Sequence, residues 1–123
     1  MRSLALKVMA FLAVLVLAGT VSVSSASASL DQCPRGFFCA WSEDDATGRF
    51  AQWEFDDSNW TDDLMHDDAD TIYNNGSPGT YDDVEVFFDV NYRTLAFCLP
   101  QGEWRDWSMS DNDYDSHRWR SGC

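Results

Sequence analysis

Apolar positions along the chain do not keep a helical spacing. No stripe at i, i+3, i+4, i+7 persists beyond about two turns, and Gly, Asp, Asn and Pro interrupt the sequence at short intervals. Short runs of aromatic and β-branched residues with partial alternation recur instead, and they predict strands over 37–41, 49–55, 84–88 and 94–99. The densest turn signal, Asn74-Asn75-Gly76-Ser77-Pro78-Gly79, reads as a connector between two halves. One apolar run of another kind extends from Val8 to Ala18. It follows Arg2 and Lys7 and leads into small residues ending Ala26-Ser27-Ala28, the layout of a cleaved secretory signal peptide and too short for a comfortable membrane span. The expected organisation is a signal peptide over 1–28 and a single domain over 29–123, with halves at about 33–76 and 81–123.

The halves repeat one another in register. Trp41 corresponds to Phe87, Glu43 to Asp89 and Gly48 to Thr94 at an offset of 46; Leu64 corresponds to Met109, Asp67 to Asn112, Asp68 to Asp113, Asp70 to Asp115 and Thr71 to Ser116 at an offset of 45. Two copies of a four-strand unit predict an all-β domain of two Greek keys packed face to face, since either half alone would leave an apolar sheet face in water.

Charge and composition narrow the function. Of eight basic residues, Arg2 and Lys7 fall in the leader, which leaves six arginines against 21 acids and a net charge of −15 over 29–123. Such a surface repels phosphate backbones and anionic lipid, so neither nucleic acid nor, after signal cleavage, a membrane is expected as a partner; a cation or a basic protein surface is compatible with it. Disorder is excluded by the 17 aromatic residues of the same segment, six of them Trp. The four cysteines, Cys33, Cys39, Cys98 and Cys123, all lie in the exported part and read as two disulfides. Short local loops favour Cys33 with Cys39 and Cys98 with Cys123; crossed pairings stay open. A monomer is expected.

The stretches Trp41-Ser42-Glu43-Asp44-Asp45-Ala46-Thr47-Gly48 and Phe87-Phe88-Asp89-Val90-Asn91-Tyr92-Arg93-Thr94 resemble the aromatic-x4-aromatic-x-Gly signature of the β/γ-crystallin Greek key. The first keeps the Gly and has Ala46 for the second aromatic; the second keeps Tyr92 and has Thr94 for the Gly. If that position requires positive φ, Thr94 is strained or its hairpin altered. The opening Cys33-Pro34-Arg35-Gly36-Phe37-Phe38-Cys39-Ala40-Trp41 and the stretch from Asn112 to Trp119 are similar to a secreted bacterial peptidase-inhibitor family of crystallin-like fold, the Streptomyces metalloproteinase inhibitor family. The resemblance implies a disulfide-stapled crystallin-like sandwich that binds an extracellular protease, chiefly a metalloprotease, without being an enzyme. No segment matches a reactive loop, so no inhibitory residue follows from it.

Asp67-Asp68-Ala69-Asp70-Thr71-Ile72 and Asn112-Asp113-Tyr114-Asp115-Ser116-His117 resemble the crystallin calcium motif, with Ile72 and His117 in place of its final Ser. Ca²⁺ takes six to eight hard oxygens, and carboxylate, carbonyl and hydroxyl oxygens within five residues suit it. Asp67, Asp68, Thr71, Asn112, Asp113 and Ser116 are therefore the candidate Ca²⁺ ligands. The other Asp-Asp pairs, Asp44-Asp45 among them, read as a solvated face.

Asp115-Ser116-His117 is not a hydrolase triad, because neighbours on an extended segment point to opposite faces. His66, His117 and the cysteines lack zinc-ligand spacing, and a domain of this size leaves little room for the paired-carboxylate cleft of a glycosidase. The tryptophans read mostly as core, except Trp104-Arg105-Asp106-Trp107, a presumed loop where two rings beside an arginine suit a sugar or a protein. The favoured function is protease inhibition; the alternative is a calcium-binding crystallin-like module with a structural, carbohydrate-binding or toxin-like role.

Overall fold

The computed structural model describes residues 29–63, 65–106 and 113–123, together with Gly19. The rest of the leader, and with it the signal-peptide expectation, lies outside the described residues, as do Leu64, Trp107, Met109 and Asn112. Seven strands follow in chain order: β1 Phe37–Glu43, β2 Thr47–Trp53, β3 Thr71–Asn75, β4 Asp83–Asp89, β5 Arg93–Leu99, β6 Trp104–Asp106 and β7 Ser116–Arg120. One-turn 3₁₀ helices occupy Leu30–Gln32 and Trp60–Asp62. No helix among the described residues is long and apolar enough to cross a membrane.

The strands form two antiparallel sheets, ordered β2-β1-β3-β6 and β5-β4-β7. β6 belongs to the second half of the chain yet pairs with β3 of the first, through Thr71 with Asp106 and Tyr73 with Trp104. The first half reciprocates at one residue: Asp57 bridges His117 of β7, with Asp57 N donating to His117 O at 3.1 Å and His117 N to Asp57 O at 2.9 Å. Each half is thus a Greek key that completes its sheet with a piece of the other. The third strand of the first key, between β2 and β3, has shrunk to that single bridge.

Between the sheets lies the main core. Phe38, Ala40 and Ile72 from one sheet meet Val84, Val86 and Leu99 from the other, with Trp60, Met65, Ala69 and Tyr114 closing the ends. Fully burying a side chain of this size contributes about 1.5–3 kcal/mol. β1 is buried on both faces, because the alternate residues Cys39 and Trp41 form a second cluster with Cys33 and Ala46 on the outside of the sheet. The opening segment folds over that outer face. The Cys33–Cys39 disulfide fixes it there, and Gln32 accepts from the Trp41 indole at 3.0 Å. The second disulfide joins Cys98 of β5 to Cys123, so both pairings are the local ones and each staple stays within its own half. On the outer face of the second sheet Glu85 accepts from Arg118 at 2.7 Å and pairs with Arg120 at 2.9 Å.

The four strands expected from the sequence are present; three are longer than the apolar run that marked them, and β2 has the expected length but starts two residues earlier and ends at Trp53. Three expectations change. Trp104-Arg105-Asp106 is strand β6, not a loop, since its backbone hydrogen bonds go to β3. Asn74 and Asn75 end β3, and the turn begins only at Gly76. β3 and β7 carry no strand-like apolar alternation, because Thr71, Asn74, Ser116 and His117 are buried polar residues with their hydrogen bonds satisfied inside.

Candidate functional site

The two hairpin corners have the same backbone. Asp45, Ala46 and Gly48 have φ of 56°, 53° and 81°; their counterparts Asn91, Tyr92 and Thr94 have 60°, 57° and 59°. Thr71 and Ser116 hold these corners. The Ala46 N–H donates to Thr71 Oγ1 at 3.1 Å, and Thr71 Oγ1 donates to the Glu43 carbonyl at 2.8 Å. In the second half the Tyr92 N–H donates to Ser116 Oγ at 3.1 Å, and Ser116 Oγ donates to the Asp89 carbonyl at 2.6 Å. Both hydroxyls are fully buried. Their repeat has a structural cause, namely that each satisfies backbone groups of a left-handed corner.

The candidate carboxylates are engaged as well. Asp68 forms an ion pair with Arg49. Asp67 Oδ2 lies 3.3 Å from His66 Nε2, and Nδ1 of the same ring donates to Asp115 Oδ1 at 2.6 Å. The Asp115 hydrogen bond raises the His66 pKa above its ordinary value; burial opposes it, and the charges of Asp115, Asp67 and Asp113 add smaller upward effects. Asp67 itself is raised, chiefly by burial and then by Asp115. His66, Asp67 and Asp115 bring their ligand atoms within 4.8 Å of one another and join the two acidic motifs. Asp113 is exposed, and Asn112 lies outside the described residues. As a calcium donor set, these loops have two hydroxyls already spent on hairpins and two carboxylates already facing the chain's own cations. The positions of the missing final serines hold the buried Ile72 and His117.

A different acidic corner escaped the sequence reading. Asp106 of β6 accepts from the Asp45 N–H at 3.0 Å and shares the Thr71 hydroxyl proton at 3.2 Å. Burial, then the charges of Asp106 and Asp70, raise the pKa of Asp44, whose Oδ1 is buried with no hydrogen-bond partner. Asp44 is therefore no part of a solvated face. Its neighbour Asp106 arrives only through the strand exchange, so no local spacing could have announced it.

The Ser-His reading fails on geometry, as expected. Ser116 serves the hairpin, while His117 accepts from the Trp60 indole at Nδ1, 2.9 Å, and donates from Nε2 to the Phe55 carbonyl at 3.0 Å.

The connector between the halves is a short exposed loop over 76–82, with 77–81 in solvent. The fully buried Asn74 closes its base. Asn74 Oδ1 accepts from the Gly76 N–H at 2.9 Å, and Nδ2 donates to the Asp82 carbonyl at 2.8 Å and to the Leu99 carbonyl at 3.0 Å. Asn75 Nδ2 donates to the Cys33 carbonyl at 2.9 Å, and the Gly36 N–H to the Asn75 carbonyl at 2.7 Å, tying the entry strand to the first disulfide. At the exit Asp83 accepts from the Gln101 N–H at 2.9 Å and the Cys123 N–H at 2.7 Å, next to the second. Within the loop Asp82 accepts from the Gly79 N–H at 2.9 Å.

Comparison with known proteins agrees with this architecture. A beta gamma crystallin from Ciona intestinalis superposes with a TM-score of 0.57 at 16% identity, covering 69% of this chain and 100% of its own. A structure solved for the evolution of the eye-lens beta-gamma-crystallin domain fold gives 0.60 at 8% identity, covering 73% of this chain and 91% of its own. At these identities the likeness concerns the fold alone. No curated protein sequence matches the chain. The sequence model of peptidase inhibitor family I36 matches residues 26–99, from before the first disulfide to the end of β5. With that match over more than half its length, and with the crystallin-like sandwich that carries it, the chain belongs to peptidase inhibitor family I36.

Proposed function

We propose that the protein is a secreted inhibitor of an extracellular protease, with metalloproteases first among the targets, and that it presents the loop 76–82 to the protease cleft. The observation that carries the reading is the Asn74 clamp. A loop whose two ends are bonded to one buried side chain, and whose flanking strands abut two disulfides, has little conformational freedom left to lose on binding. It also resists the unfolding that a protease requires of a substrate. The disulfides and the expected leader suit an oxidising, extracellular location. The protein acts by occupying a site rather than by turning over a substrate.

The test is an inhibition assay against thermolysin-like and subtilisin-like secreted proteases, with Thr80→Asp as the loop variant. Inhibition of at least one protease, weakened about tenfold or more by the substitution, is expected. No inhibition across the panel overturns the reading.

A second reading, weak calcium binding, is favoured by the buried, unpartnered Oδ1 of Asp44 beside Asp70 and Asp106. At the Asp67-Asp68 and Asp113-Asp115 loops an ion would have to displace Arg49 or the His66 ring, which accounts for weakness there. Calcium in millimolar excess should raise the melting temperature by a few degrees over chelator. Identical melting curves would remove calcium from the account.

A further inference from the structure

An aromatic groove of about 360 Å³ opens between the segment after β2, the connector loop and β7, away from both acidic corners. Phe55, 75% exposed, and Tyr81, 70% exposed, stand beside the half-buried Trp119. Large apolar rings left this open in a small domain point to a contact surface. The groove is also held in shape. The Phe55 carbonyl is fastened by His117 Nε2 at 3.0 Å, and Asp56 Oδ1 accepts from the Trp119 N–H at 2.8 Å. Gly76 lets the indole lie against the backbone, since a Cβ there would come within 2.6 Å of ring atom Cζ3.

The charged side chains that line this groove are of one sign: Glu54 and Asp56 stand in the groove and at its rim, and no basic residue is among the described residues that line it. Ring faces attract cations, and carboxylates at the same mouth orient them. A planar guanidinium uses both features: it stacks on an aromatic face and donates a pair of hydrogen bonds to a carboxylate. The net charge of −13 on the whole chain draws basic partners toward this surface, whereas a neutral sugar gains nothing from that field.

We infer that the groove formed by Phe55, Tyr81 and Trp119 is a binding site for an arginine side chain on a basic segment of a partner protein. The groove shares Gly76, Ser77 and Tyr81 with the loop 76–82, but arginine binding there does not depend on inhibition, because an arginine peptide is bound or not whatever the inhibition assay gives.

The test titrates the purified protein with an acetylated hexa-arginine peptide, followed by the NMR resonances of residues 54–56 and the Trp119 indole, with chitohexaose in a parallel titration. The peptide should shift those resonances, and Tyr81→Ala or Phe55→Ala, which alter no charge, should each weaken it about fivefold. Trp104→Ala, on the exposed strand β6, should leave the affinity unchanged. Equal affinity for wild type and the two groove variants would mean diffuse charge attraction and overturn the proposal. So would shifts at these residues with chitohexaose and none with the peptide.

Discussion

His117 is the residue on which the interior converges. Its ring is fully buried between Phe38, Trp53 and Trp60, at centroid distances of 4.8, 4.9 and 5.6 Å, and both nitrogens are engaged in a single neutral tautomer. Burial depresses its pKa from 6.5 to about 3, partly opposed by the Phe55 carbonyl. Below pH 6.5 the unfolded chain takes up a proton that the folded chain refuses, so stability should be complete above that pH and fall as the pH drops toward 3, at about 1.4 kcal/mol per pH unit once the unfolded histidine is fully charged. His66 has the opposite sign: its raised pKa lends stability at low pH that is lost as the pH rises through the folded value. It is half-exposed and screened, so His117 sets the slope. Urea unfolding between pH 7.5 and 5 measures this in a window where carboxylates contribute little, and His117→Gln should flatten it. A second test contrasts the two corners. At Gly48, with φ of 81°, a Cβ would collide with Ser42 Oγ, so Gly48→Ala should destabilise by about 2–3 kcal/mol. At Thr94 the equivalent of Ser42 is Phe88, whose ring stacks on Tyr114 instead, and Thr94 Oγ1 donates to Asp89 at 2.6 Å. Thr94→Gly relieves the left-handed strain but forfeits that bond, and its effect should stay within about 1 kcal/mol.

At the scale of elements, Asn74 is the residue that makes a loop out of a linker. Asn74→Ala leaves the Gly76 N–H and the Asp82 and Leu99 carbonyls short of a partner and should cost about 2–3 kcal/mol of stability. Limited proteolysis, read by mass spectrometry, should show faster cleavage within 76–82 in this variant; an unchanged rate would mean that the clamp does not govern the loop. This was the part of the site that the sequence hid most fully. Asn74-Asn75-Gly76 is a turn signal by composition, yet its first residue is a strand residue whose amide reaches eight residues onward. The strands with apolar runs were legible because their burial comes from sheet packing. β3 and β7 were not, because their inward positions are polar and are satisfied by partners distant in sequence. At the two corners and at Thr71 and Ser116 the repeat register was legible down to single residues, since it rests on corner geometry that both halves share. The chemistry of Thr71 and Ser116 was misplaced for the same reason, because a repeated hydroxyl serves a repeated corner as well as it would a repeated ion.

For the whole molecule, the two sheets are protected in different ways. The outer face of the first sheet carries an apolar lid held by Cys33–Cys39, whereas that of the second carries Glu85 under Arg118 and Arg120, with Arg118 also over the rings of Phe87 and Tyr92 at 5.3 and 5.7 Å. Reducing Cys33–Cys39 alone, as in a Cys33→Ser/Cys39→Ser variant, should lower stability by about 2 kcal/mol or more and loosen the lid. Chemical denaturation with Trp fluorescence would measure it through Trp41, whose indole bonds into that lid.

The exchange of β6 and Asp57 between the halves has a consequence for a chain that has been cut. Neither disulfide crosses the connector, so a single break within 76–82 leaves two polypeptides with no covalent tie. Each would still thread part of the other's sheet, and the nicked protein should elute as one particle of native size and separate into two fragments only in denaturant. Fragments made separately should then find one another and rebuild the fold, as two complementary subunits of a heterodimer.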